Sequence, residues 1–122
     1  MKIHESAENY LETILLLEKA NGSVRSVDIA TELGFSKPSV SVAMKNLRES
    51  GYIETNSTGH IVLLQKGRDI AEKMYERHTI ITKWLVSIGV SEQTAADDAC
   101  KVEHVISEET FEAIKALAEN NG

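Results

Sequence analysis

Apolar residues recur along this chain at two different spacings, and the switch between them marks out its elements. Over 6–19, Tyr10, Leu11, Ile14, Leu15 and Leu17 fall at the three- and four-residue intervals of one helix face. Ser6 is placed to cap that helix, and the glycine of "ANGS" to end it. A second helix is predicted from Ser26, read as its N-cap, with Val27, Ile29, Ala30 and Leu33 turned inward and Gly34 closing it. Ser36 opens a third, with Pro38 in the first turn, where a missing N–H costs nothing. Its apolar positions Val40, Met44 and Leu47 repeat until Gly51.

The period then changes. "YIETNSTGHIVLL" reads as two short strands, 52–55 and 60–64, about a polar turn containing Gly59. A long helix follows from Lys66 to Gly89, amphipathic at first and then, from Ile80 to Ile88, apolar on more than one side around the sole tryptophan, Trp84. Ser91 is placed to cap a helix reaching Ile106, and Ser107, followed by Glu108 and Glu109, to cap a last one reaching Leu117.

Two short helices joined by "LGFSKPSV" and followed at once by a hairpin have the order of a winged helix-turn-helix. The fold class expected is therefore mainly α: a winged helix-turn-helix over 1–70 and a helical domain over 71–122. The third helix would bury Val40, Met44 and Leu47 and expose Ser36, Lys37, Ser39, Ser41, Lys45 and Asn46. Small hydroxyls and lysines at a helix N-terminus suit base edges and phosphates. The candidate DNA-contacting set is Arg25, Ser26, Ser36, Lys37, Pro38, Ser39, Ser41, Lys45 and, from the wing, Thr58. Winged helices also serve protein–protein contacts, so the element order alone does not decide the partner.

Charge sharpens this. The net charge of −6 weighs against a nucleic-acid partner, but its distribution weighs the other way. From Arg25 to Arg68 there are six basic residues against four acidic ones, so that segment is +2 and the remainder −8. A small basic excess predicts that affinity for DNA depends on dimerisation. Composition adds exclusions. No apolar run approaches the roughly 20 residues of a membrane span, and "MKIHESAEN" is too polar for a signal peptide. One cysteine makes no internal disulfide, and the cytoplasm is the expected location.

That cysteine lies in "DDACKVEHVIS", with Glu103 three and His104 four residues after Cys100. On a helix all three would share one face. A nucleophile reading needs an orienting group and an oxyanion hole, and neither is evident in the sequence. A metal reading is stronger: thiolate plus imidazole favours a transition metal over magnesium or calcium. Glu12 on the first helix and His78 on the long one are candidate partners, although either alone reads better as an ordinary residue, a solvated carboxylate or a half-buried surface histidine. From the residues, three functions stay open. They are a divalent-metal-responsive DNA-binding repressor, a winged-helix regulator that senses oxidation through Cys100 or carries a structural zinc, and a small metallohydrolase. The last lacks a general base beyond the candidate ligands, and no enzyme is expected.

Four stretches together, "ENYLETILLLE", "VRSVDIATELGFSKPSVSVAMKNLRESGYI", "ERH" and "ACKVEHVIS", resemble the metal-dependent repressors of the diphtheria-toxin-repressor and manganese-repressor (DtxR/MntR) type. The resemblance covers nearly the whole chain and is most specific in the last stretch. It implies a homodimer whose 71–122 region both binds metal and dimerises, acting on double-stranded operator DNA to control metal-homeostasis genes. It implies no membrane and no small-molecule substrate. The ligands it implies are Glu12, His78, Cys100, Glu103 and His104, holding Fe2+ or Mn2+, with Zn2+, Co2+, Ni2+ or Cd2+ able to substitute. Asn9 departs from the family, standing where iron-type members have methionine and manganese-type members aspartate; its carbonyl oxygen is a neutral donor. Thr82 and Ala96 stand where the iron type has an ancillary glutamate and histidine, so that ancillary site is expected to be absent. The family's optional C-terminal SH3-like domain is likewise expected to be missing. The mechanism implied is that a cation neutralises clustered carboxylates and fixes the two recognition helices of a dimer near the ~34 Å repeat of the major groove.

Overall fold

A computed structural model describes residues 5–120. Their elements are, in order, α1 (Glu5–Asn21), α2 (Ser26–Leu33), α3 (Lys37–Glu49), β1 (Ile53–Thr55), β2 (Ile61–Leu63), α4 (Gln65–Ser87), α5 (Glu92–Val102) and α6 (Glu108–Asn120). The fold is mainly α, as the periodicity predicts, with one antiparallel hairpin of register Ile53↔Leu63, Glu54↔Val62 and Thr55↔Ile61. The chain forms two compact units, the first ending at Glu72 and the second beginning at Lys73, so the division falls inside α4.

In the first unit every element sends apolar residues to one core: Leu11, Ile14 and Leu15 from α1, Ile29 and Ala30 from α2, Val40, Met44 and Leu47 from α3. Val24, Ile53, Ile61, Leu63 and Ala71 complete it. Burying each of the larger side chains contributes about 1.5–3 kcal/mol. The α2–α3 turn is shaped by Gly34, whose φ of 70° is left-handed and whose N–H donates to the Ala30 carbonyl at 2.9 Å. Ser36 then caps α3, its Oγ accepting from the Ser39 N–H at 3.3 Å. The hairpin is anchored by the Ile61 N–H, which donates to the Val24 carbonyl at 2.7 Å. The entry of α4 packs so closely on β1 that a Cβ on Gly67 would collide with the Tyr52 carbonyl. Lys66 lies 4.4 Å over the Tyr52 ring and donates to the Ser50 carbonyl at 3.2 Å.

The second unit packs the rest of α4 against α5 and α6 around Ile81, Ala99 and Phe111, flanked by Ile80, Leu85, Val102 and Ile106. Ser91 and Ser107 cap α5 and α6 as expected, each accepting from the N–H three residues on.

Several expectations about detail fail. Ser6 lies inside the first turn of α1, not at its cap. Arg25, not Ser26, is the N-cap of α2; its backbone N–H donates to Asp28 Oδ2 at 2.9 Å, the reciprocal bond of a capping box made from the side chain three residues on. Val27 is 44% exposed, because a helix of two turns has room for one buried stripe and Ile29 and Ala30 fill it. α5 ends at Val102 rather than Ile106. α6 runs on past Leu117 to Asn120.

Candidate metal centre and nucleic-acid interface

In the first unit, α3 presents its exposed face as the sequence predicts. Lys37, Pro38, Ser39, Ser41, Lys45 and Asn46 are all exposed, while Val40, Met44 and Leu47 are buried. Ser36 and Ser39 are also joined side chain to side chain at 2.8 Å, which fixes both hydroxyls at the helix N-terminus. Ser26 is half-buried at the start of α2. Arg25 reaches the hairpin turn, its guanidinium close enough that a Cβ on Gly59 would lie 3.1 Å from it. In that turn Asn56 Oδ1 accepts from the Thr58 and His60 backbone N–H groups at 3.0 Å each and from the Thr58 hydroxyl at 2.7 Å. Thr58 is therefore held in place and exposed. The structure thus exposes Lys37, Ser39, Ser41 and Lys45 on α3, and brings Arg25 and Thr58 to the wing.

Asn9 and Glu12 stand on α1, one turn apart; Glu12 is buried and Asn9 half-buried. The other candidate ligands lie in the second unit. His78 and Glu103 meet through Nδ1 and Oε2 at 3.0 Å. His104 Nε2 lies 3.4 Å from the other oxygen, Oε1. Cys100 Sγ is 3.8 Å from His78 Nδ1. A single carboxylate, 1% exposed, thus stands between two imidazoles, with a thiol on the outer side. Imidazole, carboxylate and thiol are the donor types that suit a first-row transition metal, which the oxygen-seeking magnesium and calcium ions would not select. The Glu103 hydrogen bond raises the His78 pKa above its ordinary value, against the opposing effect of burial.

The single-helix stripe expected for Cys100, Glu103 and His104 needs correction. Cys100 sits in the last turn of α5, Glu103 is its C-cap, and His104 lies in the turn beyond. The turn beyond the helix is held by Arg77, for which the sequence suggested no role. Its Nη1 donates to the Glu103 carbonyl at 3.0 Å and to the Ile106 carbonyl at 3.1 Å. Its Nη2 pairs with Glu108 at 3.0 Å, which holds the Glu108 carboxyl below the usual range. The signal was present: position 77 falls between Met74 and Ile81 on the inward stripe of α4, where a charge is out of place unless it has work to do.

Comparison with known proteins places this geometry. The family sequence model described as "Iron dependent repressor, N-terminal DNA binding domain" matches residues 2–61, and "Iron dependent repressor, metal binding and dimerisation domain" matches 64–121. The chain belongs to the iron-dependent repressor family. Among its family relatives is the transcriptional regulator MntR of Escherichia coli O6:H1, 36% identical over 118 residues that cover 97% of this chain and 76% of the relative. An HTH-type transcriptional regulator of Methanocaldococcus jannaschii is 34% identical over 117 residues, 94% of each chain. Both are regulators of transcription, not enzymes. The solved structure "Manganese-dependent transcriptional repressor complex with manganese" superposes with a TM-score of 0.85 at 26% identity, covering 93% of this chain. The chain spans about half the length of that protein, 52%. In this family, then, the first unit corresponds to the DNA-binding part and the second to the metal-binding and dimerisation part. No described helix is long and apolar enough to cross a membrane.

Proposed function

We propose that this repressor binds double-stranded operator DNA as a homodimer when Fe2+ or Mn2+ is bound, and so controls metal-homeostasis genes in the cytoplasm. The observation that carries the metal reading is Glu103, a buried carboxylate between His78 and His104 with Cys100 beside them. Burying such a group is costly without a compensating cation or hydrogen bonds. His78, Cys100, Glu103 and His104 are the proposed ligands from the second unit. Glu12 and Asn9 are proposed as ligands from α1 on the family pattern. The DNA reading rests on the exposed hydroxyls and lysines of α3 with Arg25, Ser26, Pro38 and Thr58 around them. Ile88, Val105 and Leu117, exposed by 60%, 70% and 47%, are apolar surface available to a second copy of the chain.

The exposed thiol gives a second reading, a regulator that answers oxidant through Cys100. One experiment separates them. Anaerobic gel shifts on an operator selected from random DNA, with Fe2+, Mn2+, Zn2+, chelator or peroxide, are expected to show binding that the metal switches on and the chelator removes. Operator binding indifferent to chelator but abolished by peroxide would replace the metal reading with the redox one.

A further inference from the structure

We propose that Arg77 is the positioning residue of the metal centre: its guanidinium fixes the turn from which Glu103 and His104 project. This rests on the metal reading above and adds a residue that is not itself a donor. Arg77 and His78 are neighbours on α4, and together they hold Glu103 from both ends. His78 meets its carboxylate at 3.0 Å, while Arg77 holds its main-chain carbonyl at 3.0 Å. Arg77 also takes the Ile106 carbonyl at 3.1 Å, so the two bonds bracket the whole turn containing His104. Through Nη2 it is tied to Glu108 in the first turn of α6, and it lies 5.3 Å over the Phe111 ring.

A helix end leaves carbonyls without intrahelical donors. Water, a Schellman turn or a lysine can satisfy such carbonyls; here Nη1 of a planar fork that is 5% exposed donates to both the Glu103 and Ile106 carbonyls, while Nη2 takes Glu108. The placement is not one that hydrogen bonding alone would choose, since Arg77 Nε is buried with no partner among the described residues. What the fork does secure is the direction of two consecutive side chains. Without the two carbonyl anchors the main chain of the turn after Val102 keeps its own i→i+3 and i→i+4 bonds, from Val105 and Ile106 to the Val102 carbonyl. Metal affinity falls steeply when donors lose their supporting hydrogen bonds, by about 10–100-fold for removal of one outer partner.

The test uses Co2+, titrated anaerobically into the full chain, with dissociation constants from calorimetry and the thiolate-to-cobalt and ligand-field absorption as the record of geometry. Arg77→Lys keeps the charge and loses the fork; it is expected to weaken Co2+ binding about 10–100-fold and to change the absorption spectrum. A role confined to stability would lower the unfolding midpoint but leave the constant and spectrum of the folded protein as in wild type, and that result overturns the proposal. Should Arg77→Lys fail to fold, Glu108→Gln decides instead. It loosens Nη2 from an exposed position and is expected to shift affinity and spectrum the same way by less; unchanged values overturn the proposal. Wild-type protein that does not bind Co2+ at all would overturn the metal reading and this inference together, whereas normal wild-type binding with silent variants would overturn this inference alone.

Discussion

The two units are stabilised by different physics. The first is held by an apolar core to which every one of its elements contributes, with the polar groups of α3 and the wing kept at the surface. The second has a much smaller buried apolar cluster, Ile81, Ala99 and Phe111, and buries beside it Arg77 and Glu103 with His104 almost enclosed. A hydrophobic core is indifferent to protons and to divalent cations at binding concentrations, since it is stabilised by area removed from water. A buried set of charges and donors is not, because its free energy depends on protons and cations. The donors of the proposed metal centre accordingly lie mostly in the second unit, with buried Glu12 the first unit's share, and the proposed DNA surface lies on the unit with the larger apolar core.

Core truncation breaks the comparison most severely. Met44→Ala removes a side chain 1% exposed and is expected to destabilise the first unit by about 2–5 kcal/mol, read as a lower urea midpoint and loss of operator binding. The same loss with and without metal at the level of the first unit's own unfolding is the expected signature. Rescue of that loss by metal would show that the first unit's fold is not metal-independent.

Glu103→Gln probes the other side. It keeps the shape and removes the charge between His78 and His104, and is expected to weaken metal binding by more than about a hundredfold, a larger loss than removal of an outer partner. Circular dichroism should stay near wild type, and operator binding should no longer respond to Mn2+ or Fe2+. Retention of a metal-responsive gel shift would remove Glu103 from the ligand set.

The contrast also explains what the sequence made legible. The first unit was readable because its elements are local. Val40, Met44 and Leu47 keep helical period, Gly34 and Pro38 mark turn and start, and strand alternation resumes at Ile53. Errors there were few: Val27, expected inward, is exposed, and caps were misplaced, such as Arg25 for Ser26, where a side chain three residues on decides the outcome. In the second unit the residue types of the site were legible but not their arrangement. Periodicity cannot foresee that Arg77, 26 residues before Glu103, donates to the carbonyls of the turn after Val102 in which His104 lies. A tertiary bond of that kind leaves no record in a local pattern.

Lys45→Ala sharpens the comparison with a smaller effect. Lys45 is exposed on α3, so its removal is expected to cost on the order of 1 kcal/mol per protomer in operator affinity and to reduce the salt slope by about 1, read by binding titrations at several salt concentrations. Metal affinity should be unchanged. A shift in metal affinity would place Lys45 in the metal response and not in the DNA surface alone.

The smallest effect is the one with the most particular sign. His78 in the folded, metal-free protein has its pKa raised above 6.5 by the Glu103 hydrogen bond. A raised pKa means that the folded state binds the proton more tightly than the unfolded chain, so this contribution to stability is fully present below pH 6.5 and is lost as pH rises through the folded value. Metal binding runs the opposite way, because His78 must surrender that proton to ligate. Across one window, from the unfolded value upward to the raised one, metal-free stability should therefore decline while metal affinity climbs. Urea midpoints and calorimetric titrations from about pH 5.5 to about pH 8.5 would measure both. His78→Gln should flatten the stability profile and lower metal affinity at every pH. Two profiles that rise together in wild type would contradict the pairing of His78 with Glu103, and with it the buried, proton-sensitive character that sets the second unit apart from the first.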